Sequence, residues 1–207
     1  MTVSVMIAYD RGMGRWEPNP RGRLEQAALE LYNQRGFEST TVAEIAERAG
    51  LTERTFFRHF ADKREVLFAG ASTLQDLLVS EVDDAPASMS PIEAITAALV
   101  EVATVVFEPR RELARQRQTV IAANAELQER ELIKLASLAT ALAGALRGRG
   151  VNDPAASLAA QAGIAILKIA FERWTREAGG RTLAQLIRES VDELKHMTAG
   201  QKPAIRL

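Results

Sequence analysis

The chain has 207 residues, with 26 Lys+Arg against 27 Asp+Glu and a formal net charge of −1, so bulk charge names no partner. Hydrophobic residues make up 47% and Cys is absent. That apolar content is ample for a buried core and excludes a disordered chain. The absence of Cys excludes disulfide frameworks, cysteine nucleophiles and Cys-ligated metal centres. The only histidines are His59 and His196, which rules out a multi-histidine metal site within one chain. With 35 Ala and 7 Pro the expected class is all-α, since Ala is the best helix former. No cofactor is expected.

Residues 1–20 carry Gly, Pro and scattered charges without periodicity, and are expected to be a flexible arm. The short apolar stretch from Val3 to Tyr9 lacks a basic flank and meets Asp10 at once, unlike a signal peptide. No run approaches the roughly 18 apolar residues of a membrane helix. The longest candidate, Ala162 to Leu167, is bounded by Gln161 and Lys168. A soluble, cytoplasmic chain without a membrane partner is expected.

After the arm, Leu24, Ala27, Ala28, Leu31 and Tyr32 follow the helical period, and Gly36 stops that helix. Thr41 with Glu44 forms a capping-box pattern that opens a short helix through Ile45 and Ala49. Gly50 follows, where a left-handed turn residue suits a helix end. Thr52 can cap a third helix, with Leu51 and Phe56 as a hydrophobic staple. Asp62, followed by Glu65, predicts the start of a fourth. Farther on, breaks at 83–91, 107–109, Asn124, 148–154 and 179–180 separate about five longer helices.

Residues 41–60 therefore have the layout of a helix-turn-helix, two short helices joined by a tight turn containing Gly50. Phe56 and Phe60 share the inward face of the second helix. Glu53, Arg54, Thr55, Phe57, Arg58 and His59 lie on the other side. Arg54 and Arg58 are four apart and project together, as a pair suited to guanine edges or phosphates. A solvated charged face on an ordinary three-helix packing would show the same periodicity.

The stretch from Arg23 to Leu67 resembles the N-terminal domain of TetR-family transcriptional repressors. The features that carry the resemblance are the first helix ending in Arg35-Gly36-Phe37, the pair Thr40-Thr41, Ile45-Ala46, Ala49-Gly50, Phe57 to Phe60, and Asp62-Lys63. It implies a three-helix DNA-binding domain over 21–66 and a helical ligand-binding and dimerisation domain over 67–207. Residue by residue, it implies that Thr41 touches a DNA phosphate while capping its helix. Thr52 to Thr55 would enter the major groove, and His59 and Lys63 would grip the backbone. Arg54, with Glu53, Thr55 and Arg58, would set base preference. Phe57 stands where the family usually has Tyr; lacking a hydroxyl, it would act by apolar contact, as with a thymine methyl.

Residues 1–70 hold ten basic and ten acidic side chains, a neutral balance for a DNA-binding head. The resemblance is compatible with this if the cations gather on one face.

In the remaining two thirds, residues 155–171 are apolar around nearly the whole helix, and 183–194 show a stripe at Leu183, Leu186, Ile187, Val191 and Leu194. The resemblance implies that this pair builds a homodimer, with Ile164, Leu167, Phe171, Leu183, Leu186, Ile187 and Leu194 in the interface. A plain core is the other reading. It also implies an effector cavity for a hydrophobic small molecule, with Val102, Val106, Phe107, Val120, Leu138 and Gln161 as candidate lining. These too fit ordinary core positions. The function expected is a ligand-responsive repressor of double-stranded operator DNA. The alternative is a helical small-molecule carrier without DNA binding. Nothing in the chain suggests an enzyme: no nucleotide-binding Gly loop and no nucleophile–base pair are present.

Overall fold

The computed structural model describes residues 19–177 and 179–199. Among these, nine α-helices and no strand occur, and the chain divides into two units after Leu67. Of the expected arm over residues 1–20, the first 18 lie outside the described residues, whereas Asn19 and Pro20 belong to the start of the first helix, as its cap and first residue.

In the first unit α1 (Pro20–Arg35), α2 (Val42–Arg48) and α3 (Glu53–His59) pack against one another. Leu24, Leu31, Ile45 and Phe56 are fully enclosed between them. Asn19 caps α1, its side chain accepting from Gly22 N at 2.8 Å. The α2–α3 turn needs glycine: Gly50 has φ +63°, and a Cβ there would lie 2.8 Å from the Arg23 guanidinium. That guanidinium donates to the Ala49 carbonyl, so the turn is also tied to α1.

The helix predicted from Asp62 is only a 3₁₀ turn over Glu65–Phe68. Asp62 does cap it, accepting from Arg64 N at 2.8 Å and Glu65 N at 3.2 Å. The next α-helix waits until Ala71.

The second unit holds α4 (Ala71–Asp84), α5 (Pro91–Val102), α6 (Arg111–Ala122), α7 (Ala125–Gly148), α8 (Asp153–Arg176) and α9 (Leu183–Thr198). These are six helices where the punctuation suggested about five. Their core runs from Leu78 and Val82 through Ile95, Leu99, Leu142 and Leu146 to Trp174, Leu186 and Ile187. α8 is central, packing on α5, α7 and α9. Its approach to α5 requires Gly163, where a Cβ would fall 2.4 Å from Ile95 Cγ2. By length and composition α8 could cross a bilayer, contrary to the expectation from contiguous runs, because its average hydropathy stays high despite Gln161 and Lys168. One side of it nonetheless lies in this core, as in the central helix of a globular domain.

Pro109 shapes the α5–α6 connection. A proline has no N–H and its ring collides with the carbonyl four residues earlier, so α-helix cannot run through. The chain instead widens to a π turn over Ala103–Phe107 and tightens to a 3₁₀ turn over Glu108–Arg110. The 3₁₀ turn and the start of α6 are pinned to the α8–α9 connection. Arg111 donates to the carbonyls of Trp174 at 2.8 Å and Glu177 at 3.0 Å, and the Glu108 carboxylate accepts from Leu183 N. At the α6–α7 corner, Asn124 stands at the cap position as expected, but its side chain donates back to Val120 O at 2.7 Å.

Candidate nucleic-acid interface

Thr41 and Thr52 open the two short helices of the helix-turn-helix. Thr41 makes a complete capping box: Glu44 N donates to its hydroxyl at 3.2 Å, and its own N–H donates to the Glu44 carboxylate at 2.9 Å. These hydrogen bonds, with Arg35 beside it, hold the Glu44 carboxyl below the usual carboxylate range. Thr52 accepts from Thr55 N at 3.2 Å, and the two hydroxyls lie 3.0 Å apart. Each threonine stands exposed at a helix N-terminus, where backbone N–H groups and the helix dipole favour an anion; at α2 the Glu44 carboxylate already fills that place, accepting from the Thr41 N–H and hydroxyl.

α3 is held from below by Phe56 and Phe60, both buried, while Glu53, Arg54, Phe57 and Arg58 are exposed along its outer side. Thr55 and His59 are half-buried. The Nε2 of His59 is enclosed, without a hydrogen-bond partner among the described residues.

The charges of this unit are organised in a way that their balanced count conceals. Arg21 pairs with Glu25 at 3.2 Å, Arg35 with Glu44 at 2.9 Å, Arg48 with Glu30 at 3.4 Å and Arg64 with Asp62 at 2.5 Å. Arg23 is committed to the turn. Among the described residues Arg54 and Arg58 enter no ion pair, and both stand on the exposed side of α3. The free positive charge of the head is therefore concentrated on one helix.

Lys63, expected on the DNA backbone, has another occupation. Its ammonium donates to the carbonyls of Phe37 at 2.9 Å, Glu38 at 3.3 Å and Thr40 at 3.0 Å. It also lies 4.3 Å from the Phe37 ring centre. All three donors of an ammonium are thereby used. Lys63 locks the α1–α2 turn and so positions Thr41. Tyr32 reinforces the lock by donating to Lys63 O at 2.7 Å. Lys63→Ala should therefore destabilise the head by about 2 kcal/mol, the scale of lost hydrogen bonds to a charged group. Chemical denaturation checks this. Unchanged stability together with a flatter salt dependence of DNA binding would return Lys63 to the phosphate role.

The second unit covers most residues of the expected interface with its own core. Leu183, Leu186 and Ile187 are fully covered by their own chain, and Ile164 and Leu167 nearly so. Phe171 and Leu194 are half-buried against the same core. The stripe on α9 is core because its outer side is charged: Arg173 and Arg181 both reach Glu189 at 3.0 Å. Apolar surface is left open on the other side of α8, where Leu158 is 71% and Ile169 55% exposed. Leu158, Ala162, Ala165 and Ile169 are spaced four, three and four apart, within an arc of about 60° on the helix. That spacing is readable in the sequence.

Of the candidate effector lining, Val102, Val120 and Leu138 are buried, while Val106 and Phe107 are half-buried. Gln161 is exposed, since its position on α8 points away from the core, and does not line an interior site. A groove of about 360 Å³ between α5 and α9 is lined by Ile92, Thr96, Val100, Arg188, Val191 and Lys195, among others, and by none of the six candidates.

Residues 25–69 match the domain described as bacterial regulatory proteins, tetR family, and residues 89–199 match the MftR C-terminal domain. Together these cover the head and most of the body. The chain belongs to the TetR family of bacterial regulatory proteins. TetR-family members are DNA-binding transcriptional regulators, and the helix-turn-helix described above occupies the matched N-terminal region. TcmR of Streptomyces glaucescens is 40% identical over 38% of this chain, a match spanning 34% of TcmR's own length. The Mycobacterium tuberculosis protein named for regulation of mycofactocin biosynthesis, MftR, is 25% identical over 83% of this chain and 87% of its own. Among solved structures, the TetR-family repressor FadR of Thermus thermophilus, in complex with lauroyl-CoA, aligns with a TM-score of 0.54. It is 25% identical over 90% of this chain and 100% of that one.

Proposed function

We propose that the protein acts as a homodimeric repressor in the cytoplasm, released from a near-palindromic operator when a small apolar effector binds the body. The observation that carries the DNA-binding part is the pair Arg54 and Arg58, unpaired and exposed on α3 while the other described cations of the head are engaged internally. In the proposed complex α3 lies in the major groove. Arg54 and Arg58 meet guanine edges, Thr55 and Glu53 contribute beside them, and Thr52 meets a phosphate. One short helix offers too few base contacts to select a site in a genome, and a second copy about one helical turn away supplies the remainder.

The exposed stripe on α8 supports dimerisation. An apolar body core supports an effector with an apolar part, as the lauroyl chain is in the lauroyl-CoA held by the FadR relative. Release follows if the effector binds better to a conformation whose paired recognition helices no longer match successive grooves.

The test is selection from randomised duplex DNA, followed by titration of the chosen operator. Arg54→Ala should weaken specific binding by about 1–3 kcal/mol and relax preference at one base step per half-site. Equal loss on operator and random DNA would remove Arg54 from base reading.

A further inference from the structure

Phe57 stands out among the exposed apolar side chains. It is 55% exposed, and it is the only aromatic among the large exposed hydrophobics of the described residues. Its neighbours Phe56 and Phe60 on the same short helix are buried. A phenyl ring left largely in water at the outer side of α3 touches the head's core only at one edge. Its orientation is nevertheless restrained, because the ring rests edge-on against Phe56 with centroids 5.5 Å apart. Arg54 lies one turn earlier and Arg58 immediately after. On a helix the three directions fall within about 100° of arc, so they present one surface, an apolar ring beside two free guanidinium groups.

A phenyl ring has no hydrogen-bond donor for a phosphate. In the major groove of an intact duplex the base faces are stacked and closed to it. The apolar group that groove does offer is the 5-methyl of thymine, which cytosine lacks. Building on the DNA-binding reading above, we propose that Phe57 is a specificity-determining residue that recognises the 5-methyl group of a thymine. Because Arg54 and Arg58 adjoin it, that thymine lies within one or two base pairs of a guanine in each half-site. The recognised feature is the methyl itself, so 5-methylcytosine at the same position carries it too.

The experiment uses the full-length chain and the operator obtained by selection from randomised duplexes. Each thymine is replaced in turn by deoxyuridine, which removes the methyl and leaves pairing intact. One buried methyl is worth about 0.8 kcal/mol, a factor of about four. The native protein should lose about fourfold in affinity at one thymine per half-site, and about fifteenfold when both are replaced. Placing 5-methylcytosine there, paired with guanine, should bind more tightly than cytosine by a similar factor. Phe57→Ala should bind thymine and deoxyuridine operators equally, and Phe57→Leu should keep part of the discrimination. Circular dichroism should show both variants folded, since the side chain is exposed. A native protein indifferent to every thymine replacement, or a Phe57→Ala protein as sensitive as the native one, would overturn the assignment while leaving operator binding in place. A selection that enriches no sequence would overturn the DNA-binding reading and this one with it.

Discussion

Ile187→Glu should unfold the second unit rather than release a folded monomer. Ile187 is fully enclosed by its own chain, in one cluster with Leu183, Leu186 and Val191. The substitution removes a packed aliphatic side chain, at about 2–5 kcal/mol for loss of a comparable core residue. It also buries a carboxylate without a partner, which costs several kcal/mol more or forces the group to protonate. A domain of this size is stable by only about 5–15 kcal/mol, so the sum consumes most of that margin. Circular dichroism should show loss of helix at room temperature or a broad, strongly lowered melt. A helical, cooperatively melting Ile187→Glu monomer would place this stripe on the partner surface after all.

Periodicity located the stripe on α9 correctly, because a 3.6-residue period fixes which residues share a face. It could not say what covers that face. The charged outer side of α9 and the second apolar row on α8 decide this, and both are written in the chain, at Arg188, Glu189 and Asp192 and at Leu158, Ala162, Ala165 and Ile169. Weighing the two rows against each other would have identified the one left without cover.

The head was more legible because its signals are local. Thr41 with Glu44, Gly50 and Thr52 each specify a cap or turn within four residues, and each appears as expected. Lys63 was not legible in that way. Its three carbonyl partners lie 23 to 26 residues earlier, and no spacing rule links them. The same holds for Arg111 and for Arg149, which reaches the carbonyls of Val82 and Pro86 at 2.9 Å. A cation that closes a distant helix end looks in sequence like any surface cation. The neutral charge count likewise concealed that Arg54 and Arg58 stand apart, since the other described cations of the head are engaged in ion pairs or hydrogen bonds.

The open row on α8 leads to the second large effect. Ala165 stands at its centre, exposed, with Ala162 and Ile169 on either side. Small residues there let a second helix approach closely, and a four-three-four spacing matches the shallow crossing of paired helices. In a two-fold interface the same residue occurs on both sides, so Ala165→Arg places two unpaired cations face to face. Burying each without a partner costs several kcal/mol, enough to weaken dimerisation by more than about a hundredfold. Because Ala165 is exposed in the single chain, the variant should keep its helix content and its melting cooperativity. Sedimentation at micromolar concentration should show a dimer for the native chain and a monomer for Ala165→Arg. Operator titration should then show specific affinity falling toward that for random DNA, since each head binds its half-site alone. A folded Ala165→Arg protein that remains dimeric would move the interface away from α8. The next surface to probe would be α7, where Leu132 and Ile133 are the exposed apolar pair.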